Sequence, residues 1–168
     1  MENVYYKKRN RGVTLIELVV VIAIMAVLAS FSFYCISMIT GQKGKDAATK
    51  IDNVFNKTRT ASLTKAGEHY VSIYMGDGGE IIIESSDEGT LTAGKSGVRV
   101  TYQLLGSEEE KELGGRDDMI TFRYKQNSAS FSGLLYDNIK IYANSYYWMI
   151  KFYKTTGKTE VTKVHTGA

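Results

Sequence analysis

The sequence predicts an α+β protein: a long N-terminal helix, transmembrane in its lower half, packed on a mostly antiparallel, β-rich head. Three observations predict it. A mostly apolar run extends from Leu18 to Ile39. A helical periodicity then continues to about Lys65, and from His69 onward the spacing of apolar residues changes from 3.6 to 2. The expected organisation is a leader over residues 1–12, a helix over 13–66 that spans a membrane at about 18–39, and a globular head over 67–168.

The leader carries Lys7, Lys8, Arg9 and Arg11. This charge reads as a topology signal that keeps the N-terminus cytoplasmic and sends the head across the membrane. The chain's net charge is +3, but Met1–Gly12 holds four of the 21 basic residues and one of the 18 acidic ones, so the remainder is formally neutral. A nucleic-acid partner therefore finds no support in the charge balance. As helix, Leu18–Ile39 is about 33 Å long, the thickness of a bilayer core. Glu17 stands at its mouth, where an acid costs roughly 2.5–3.5 kcal/mol if it sits deep and less near the interface. Such a residue calls for a partner. Val27-Leu28-Ala29 resembles a signal-peptidase site that would release a soluble protein beginning at Ser30. Against that, Glu17 interrupts the apolar region early and apolar residues continue from Phe31 to Ile39. Cys35 follows Phe33-Tyr34 rather than the small residues a lipoprotein site needs. It is the only cysteine, so no internal disulfide forms and it packs as a small apolar group.

Gly12, Val13, Thr14, Leu15, Ile16 and Glu17 resemble the processing signature of type IV prepilins and pseudopilins. The resemblance covers about the first 40 residues. It implies that a prepilin peptidase cuts between Gly12 and Val13 and methylates the new Val13 amine, with Glu17 fifth in the mature chain. Val13 stands where the family usually has Phe. Other pilin or pseudopilin subunits and an inner-membrane assembly platform are the further partners implied. The physical account agrees. The freed Val13 amine lies at the membrane surface, and Glu17 of a neighbouring, axially shifted helix can neutralise it. Two charges ~4 Å apart at an effective dielectric of ~20 attract by about 4 kcal/mol, enough to set the register between helices. Val19, Ile22, Met25, Ala26 and Ala29 are candidates for the helix–helix contacts. Many pilins close a C-terminal loop with a disulfide, which this chain cannot do. Proline is absent, so the helix lacks the kink the family often has near its middle.

Gly41 and Gly44 weaken the helix locally, by about 1 kcal/mol each relative to Ala. They mark either a place to stretch in a filament or a plain linker to the head. Beyond them Ala47, Ala48, Ile51, Val54, Phe55, Thr58 and Ser62 form one stripe, with Gly67 as the stop. Val71–Met75, the Gly76-Asp77-Gly78-Gly79 turn and Ile81–Ile83 read as a hairpin. Further strands are expected at Val98–Leu104, Ile120–Tyr124, Ile139–Ala143, Tyr146–Phe152 and Thr159–Val164, with a short continuation at Ala129–Phe131. Six to eight mostly antiparallel strands should pack on the apolar face of Ala48–Ser62. This order resembles the GspH/FimT-type minor pseudopilins, through the Arg59–Ala61 segment and a closing hairpin at Gly157.

No nucleophile–base constellation is present, and His69 and His165 bracket the head. The chain is expected not to be an enzyme and to need no cofactor. Asp77 with Glu80, or Ser86-Asp87-Glu88, offer oxygen ligands for calcium, but they read better as solvated turns, and no metal is expected. Glu108–Glu110 and Asp117-Asp118 bracket Gly114-Gly115-Arg116 as a polar loop. Tyr146, Tyr147 and Trp148 read first as sheet-face residues and second as an aromatic patch. Gly76–Gly79 lacks the lysine and helix of a phosphate loop. The function expected is a pilin-like structural subunit of a type IV pilus, type II secretion pseudopilus or DNA-uptake pilus, as a minor component. The alternative is a membrane-anchored binding module or adhesin that does not polymerise.

Overall fold

A computed structural model describes residues 13–95, 97–143 and 145–166, with backbone alone for 33–40. Gly12 and the leader cations Lys7, Lys8, Arg9 and Arg11 lie outside the described residues, as does the side chain of Cys35. The chain divides into two compact units, Met1–Ile36 and Ser37–Ala168. Helix α1, Leu15–Thr64, begins in the first and ends in the second.

In the first unit α1 is apolar nearly all round. Its described large apolar side chains, from Leu15 to Phe31, are all exposed. In the second unit the helix is one-sided. Ala47, Ala48, Ile51 and Phe55 are fully buried, and so are the small polar residues Thr58 and Ser62 of the same stripe. The 3.6-residue spacing puts them on one face.

The second unit adds β1 (His69–Met75), β2 (Ile81–Ser85), β3 (Gly89–Gly94), β4 (Arg99–Leu104), β5 (Glu110–Glu112), β6 (Ile120–Tyr124), β7 (Tyr136–Ala143), β8 (Tyr146–Phe152) and β9 (Thr159–His165). They form two sheets, β3-β2-β1-β6 and β5-β4-β7-β8-β9, with every neighbouring pair antiparallel. Among the described residues there are nine strands, not six to eight. The additional ones are β3 and β5, whose residues lack a buried alternation. The expected continuation at Ala129–Phe131 is a single bridge, Tyr124 to Phe131. Glu110 belongs to a strand paired with β4 rather than to a loop.

One core joins α1 and both sheets. Phe55 of α1 meets Phe122 of β6 edge-on at 5.0 Å between centroids, Phe152 of β8 at 5.1 Å and Phe131 at 6.2 Å. Gly41 and Gly44 are positions of close approach. A Cβ on Gly41 would fall 1.9 Å from the Tyr146 hydroxyl oxygen, and one on Gly44 3.0 Å from the Ala143 Cβ and 3.2 Å from the Trp148 ring. The upper helix is tied to the C-terminal hairpin by Arg59 Nε, which donates to the Thr156 carbonyl at 2.7 Å, and by Thr159, which donates to Asp52. The buried Tyr124 hydroxyl lies within reach of both the Phe55 and Gly157 carbonyls, at 3.2 and 3.3 Å. Burial pushes that phenol well above its ordinary value.

Two carboxylates are held by several donors each. Glu110 accepts from Lys140, from Tyr142 Oη at 2.8 Å and from Thr101 Oγ1 at 3.0 Å. Asp87 faces His69 Nδ1 at 3.0 Å and accepts from Ser86 Oγ at 3.0 Å and Lys65 Nζ at 3.4 Å. Partial burial pushes both carboxyls up, but these hydrogen bonds outweigh it and hold both below the ordinary carboxylate range.

Two outcomes follow. Phe55→Ala should lose about 3–5 kcal/mol, because one truncation opens a cavity against both sheets. Urea unfolding of the full chain in detergent, followed by Trp148 fluorescence, measures this, and an unchanged midpoint would refute the shared core. The pH response follows from the two carboxyls. Their folded values are depressed, so the stability they supply is full above the unfolded values, about 4. It is lost as the pH falls through the folded ones. Acid unfolding should therefore steepen below about pH 4, and Glu110→Gln should flatten that limb.

Candidate assembly site at the helix mouth

The residues that open α1 form a reciprocal cap. Thr14 immediately precedes the helix and Glu17 is its third residue. The Glu17 amide nitrogen donates to Thr14 Oγ1 at 3.3 Å. In return Glu17 Oε2 accepts from the Thr14 amide nitrogen at 2.8 Å and from the Thr14 hydroxyl at 2.9 Å. This is a capping box, S/T-x-x-E, in which two otherwise orphaned amide donors are satisfied by side chains three residues apart. It also puts a negative charge in the first turn, where the helix dipole favours it. Removing such a cap costs a helix about 0.5–2 kcal/mol.

The sequence points Glu17 to a partner on another chain; the structure adds a partner within the chain, Thr14. The T-x-x-E spacing was the available signal. Val13, next to Thr14, is exposed, and Val19, Ile22 and Met25 are likewise exposed on the helix. Nothing in the described chain covers them.

The stretch Leu15–Ser32 is long and apolar enough to cross a membrane, and none of it is buried by the chain itself. An uncovered helix of this kind needs lipid or other helices around it. Ser30 and Ser32 return their hydroxyls to the carbonyls of Ala26 and Leu28, at 2.9 and 3.0 Å, and so carry no unpaired donor into an apolar medium.

In the head the remaining candidates are placed as follows. His69 is buried, with Nε2 at 3.1 Å from the Lys65 carbonyl and Nδ1 facing Asp87. His165 lies against Tyr146, 6.1 Å between ring centroids, in the other sheet. Among the described residues no group of three or more His, Cys, Asp or Glu gathers as a metal would require. Glu88 pairs with Lys57 at 2.5 Å, and the Glu80 carboxylate lies over Gly76 and Gly78. Tyr146 and Trp148 face α1 through Gly41 and Gly44, whereas Tyr147 packs tilted against Tyr142, 5.3 Å between centroids, on the opposite face of the sheet. They do not make one patch.

Residues 7–33 match the family model of the prokaryotic N-terminal methylation motif. No curated protein and no solved structure matches the chain. The matched segment takes in the basic leader, the Gly12–Val13 bond, the Thr14–Glu17 cap and the uncovered apolar helix. Over this N-terminal segment the chain carries the methylation motif found in type IV prepilins and pseudopilins, and it is similar to them there.

Proposed function

We propose that the chain is a minor structural subunit, not an enzyme, of a filament of the type IV pilus, type II secretion or DNA-uptake kind. A prepilin peptidase removes Met1–Gly12 and methylates the Val13 amine. The mature subunit rests in the cytoplasmic membrane with its head outside, and an assembly platform moves it into a bundle of like helices. The observation that carries this reading is the uncovered apolar helix with a capped acid at its mouth. A helix that serves only as a tether needs no acid there. The GspH/FimT-type subtype rests on the resemblance of the Arg59–Ala61 segment and the closing hairpin, which are joined in this fold by the Arg59–Thr156 hydrogen bond.

Glu17 has two tasks in this reading. Before assembly its carboxylate caps its own helix. After assembly it meets the Val13 amine of a neighbour. Glu17→Gln separates the two, because glutamine also serves at the third position of a capping box but carries no charge. Glu17→Gln should therefore insert normally yet be depleted from sheared filaments, while Thr14→Ala, which breaks the cap and keeps the charge, should still be incorporated. Equal depletion in both variants would reduce Glu17 to a cap. Gly12→Leu should leave the leader uncleaved, because the peptidase needs close backbone access. Intact-mass measurement of the membrane fraction reads this directly, and a mature chain beginning at methylated Val13 in that variant would contradict it.

A further inference from the structure

The part of the head nearest to its point of entry is basic and aromatic. The second unit begins at Ser37, and four residues on, the Gly41–Asp46 turn of α1 meets the start of β8. A cleft of ≈ 260 Å³ lies there, lined by Gly41, Gln42, Lys45, Tyr146, Trp148 and Lys163. Lys163 Nζ sits 3.9 Å from the Tyr146 ring centroid and 5.9 Å from that of Trp148. On another side of the same helical stretch a second cleft, of ≈ 420 Å³, is lined by Lys43, Lys50, Lys95 and the backbone at Gly94. Asp46 is the one acid among the residues lining these two clefts, against five lysines. Lys45, Lys50, Lys95 and Lys163 are exposed.

Lysine beside tyrosine and tryptophan is the composition of a membrane–water interface, where the rings sit at headgroup level and the ammonium groups reach phosphate. The position fits as well. Eight residues lie between Ser32, the last residue of the 18-residue apolar window, and Gly41, a reach of at most about 32 Å even if fully extended. On the proposed topology these lysines lie on the exported flank, where the positive-inside preference disfavours them, so their retention there calls for a use.

We propose that this end of the head docks on the anionic lipid surface while the subunit waits in the membrane. The lysines of the two clefts bind phosphodiester headgroups, and the Tyr146–Trp148 edge seats at headgroup depth. The inference rests on reading Leu15–Ser32 as a membrane span.

Trp148 is the only tryptophan and reports the contact directly. The full chain is reconstituted into phosphatidylcholine vesicles with or without phosphatidylglycerol, both containing a headgroup-nitroxide lipid, and insertion is checked by flotation. Trp148 should be quenched in the phosphatidylglycerol vesicles, and the quenching should be reversed by about 1 M salt, where screening is nearly complete. Each of Lys45→Gln, Lys50→Gln, Lys95→Gln and Lys163→Gln should weaken the head–surface association about fivefold, and the combined variant should abolish it while melting at the native temperature. Millimolar inorganic phosphate should leave the quenching unchanged; if phosphate reverses it, the clefts bind free anion and the membrane proposal falls. Equal quenching in both vesicle types, or in the combined variant, also overturns it. A chain that floats but is never quenched sinks this inference alone, whereas a chain that fails to float sinks the membrane reading with it.

Discussion

One helix meets two solvents, and the rest of the structure follows from that. Leu15–Ser32 is apolar nearly all round and covered by nothing in the described chain, while Ala47–Ser62 buries one stripe against two sheets. In a lipid medium every backbone N–H and C=O must be paired within the segment, which a helix does everywhere except at its ends. The exposed start of α1 is therefore where polar chemistry is required. Thr14 and Glu17 supply it with three reciprocal hydrogen bonds.

This bears on why an acid is tolerated at a membrane helix at all. A carboxylate awaiting a partner on another subunit would otherwise sit desolvated in the unassembled state, at a cost of up to about 3 kcal/mol. The cap gives it two donors at once, so the waiting state is not penalised in full. A neighbour's amine then competes with a cap worth about 0.5–2 kcal/mol, against a charge pair of about 4 kcal/mol. On the proposed assembly the exchange is favourable by roughly 2–3.5 kcal/mol. A carboxylate bound more tightly within its own chain would be a poor register mark, and an uncapped one would be a poor membrane residue.

Much of the fold was legible in the sequence because burial leaves a period. Val71, Ile73, Ile139, Ile141, Ile150 and Phe152 alternate as they do because one face of each strand meets Phe55 and its neighbours. The two strands not foreseen lack that mark. Thr90, Leu91 and Thr92 of β3 are exposed, and β5 is Glu110-Lys111-Glu112, exposed throughout and held by backbone pairing and by side chains on β7. Hydrogen-bonded edges leave no hydrophobic signature. Gly41 and Gly44 looked like weak points on propensity alone, whereas in the fold their missing Cβ atoms admit Tyr146 and Trp148, a contact between residues a hundred positions apart. At the helix mouth the T-x-x-E spacing was in plain view, but a motif tied to processing drew attention to the bond cut rather than to the turn formed.

Processing and charge can now be joined. The four cations of the leader leave with it if the Gly12–Val13 bond is cut, and the chain that remains is formally neutral. Neutral does not mean evenly charged. Processed as proposed, the chain carries an amine and a carboxylate at the start of the apolar helix, and the lysines of the Gly41–Lys50 stretch of α1 follow it in the chain. The first pair is self-complementary between subunits and suits polymerisation. The second set is basic apart from Asp46 and repels its own copy, so it suits a surface that is anionic and not another head. On the proposed function, a subunit that rests in a membrane before joining a filament needs both, and the strength of the second sets how readily the first is used. Each lysine held at an anionic surface adds about 1 kcal/mol to the resting state. That is of the order of the margin by which the charge pair exceeds the cap, so under the proposed docking lipid composition would act on the proposed assembly.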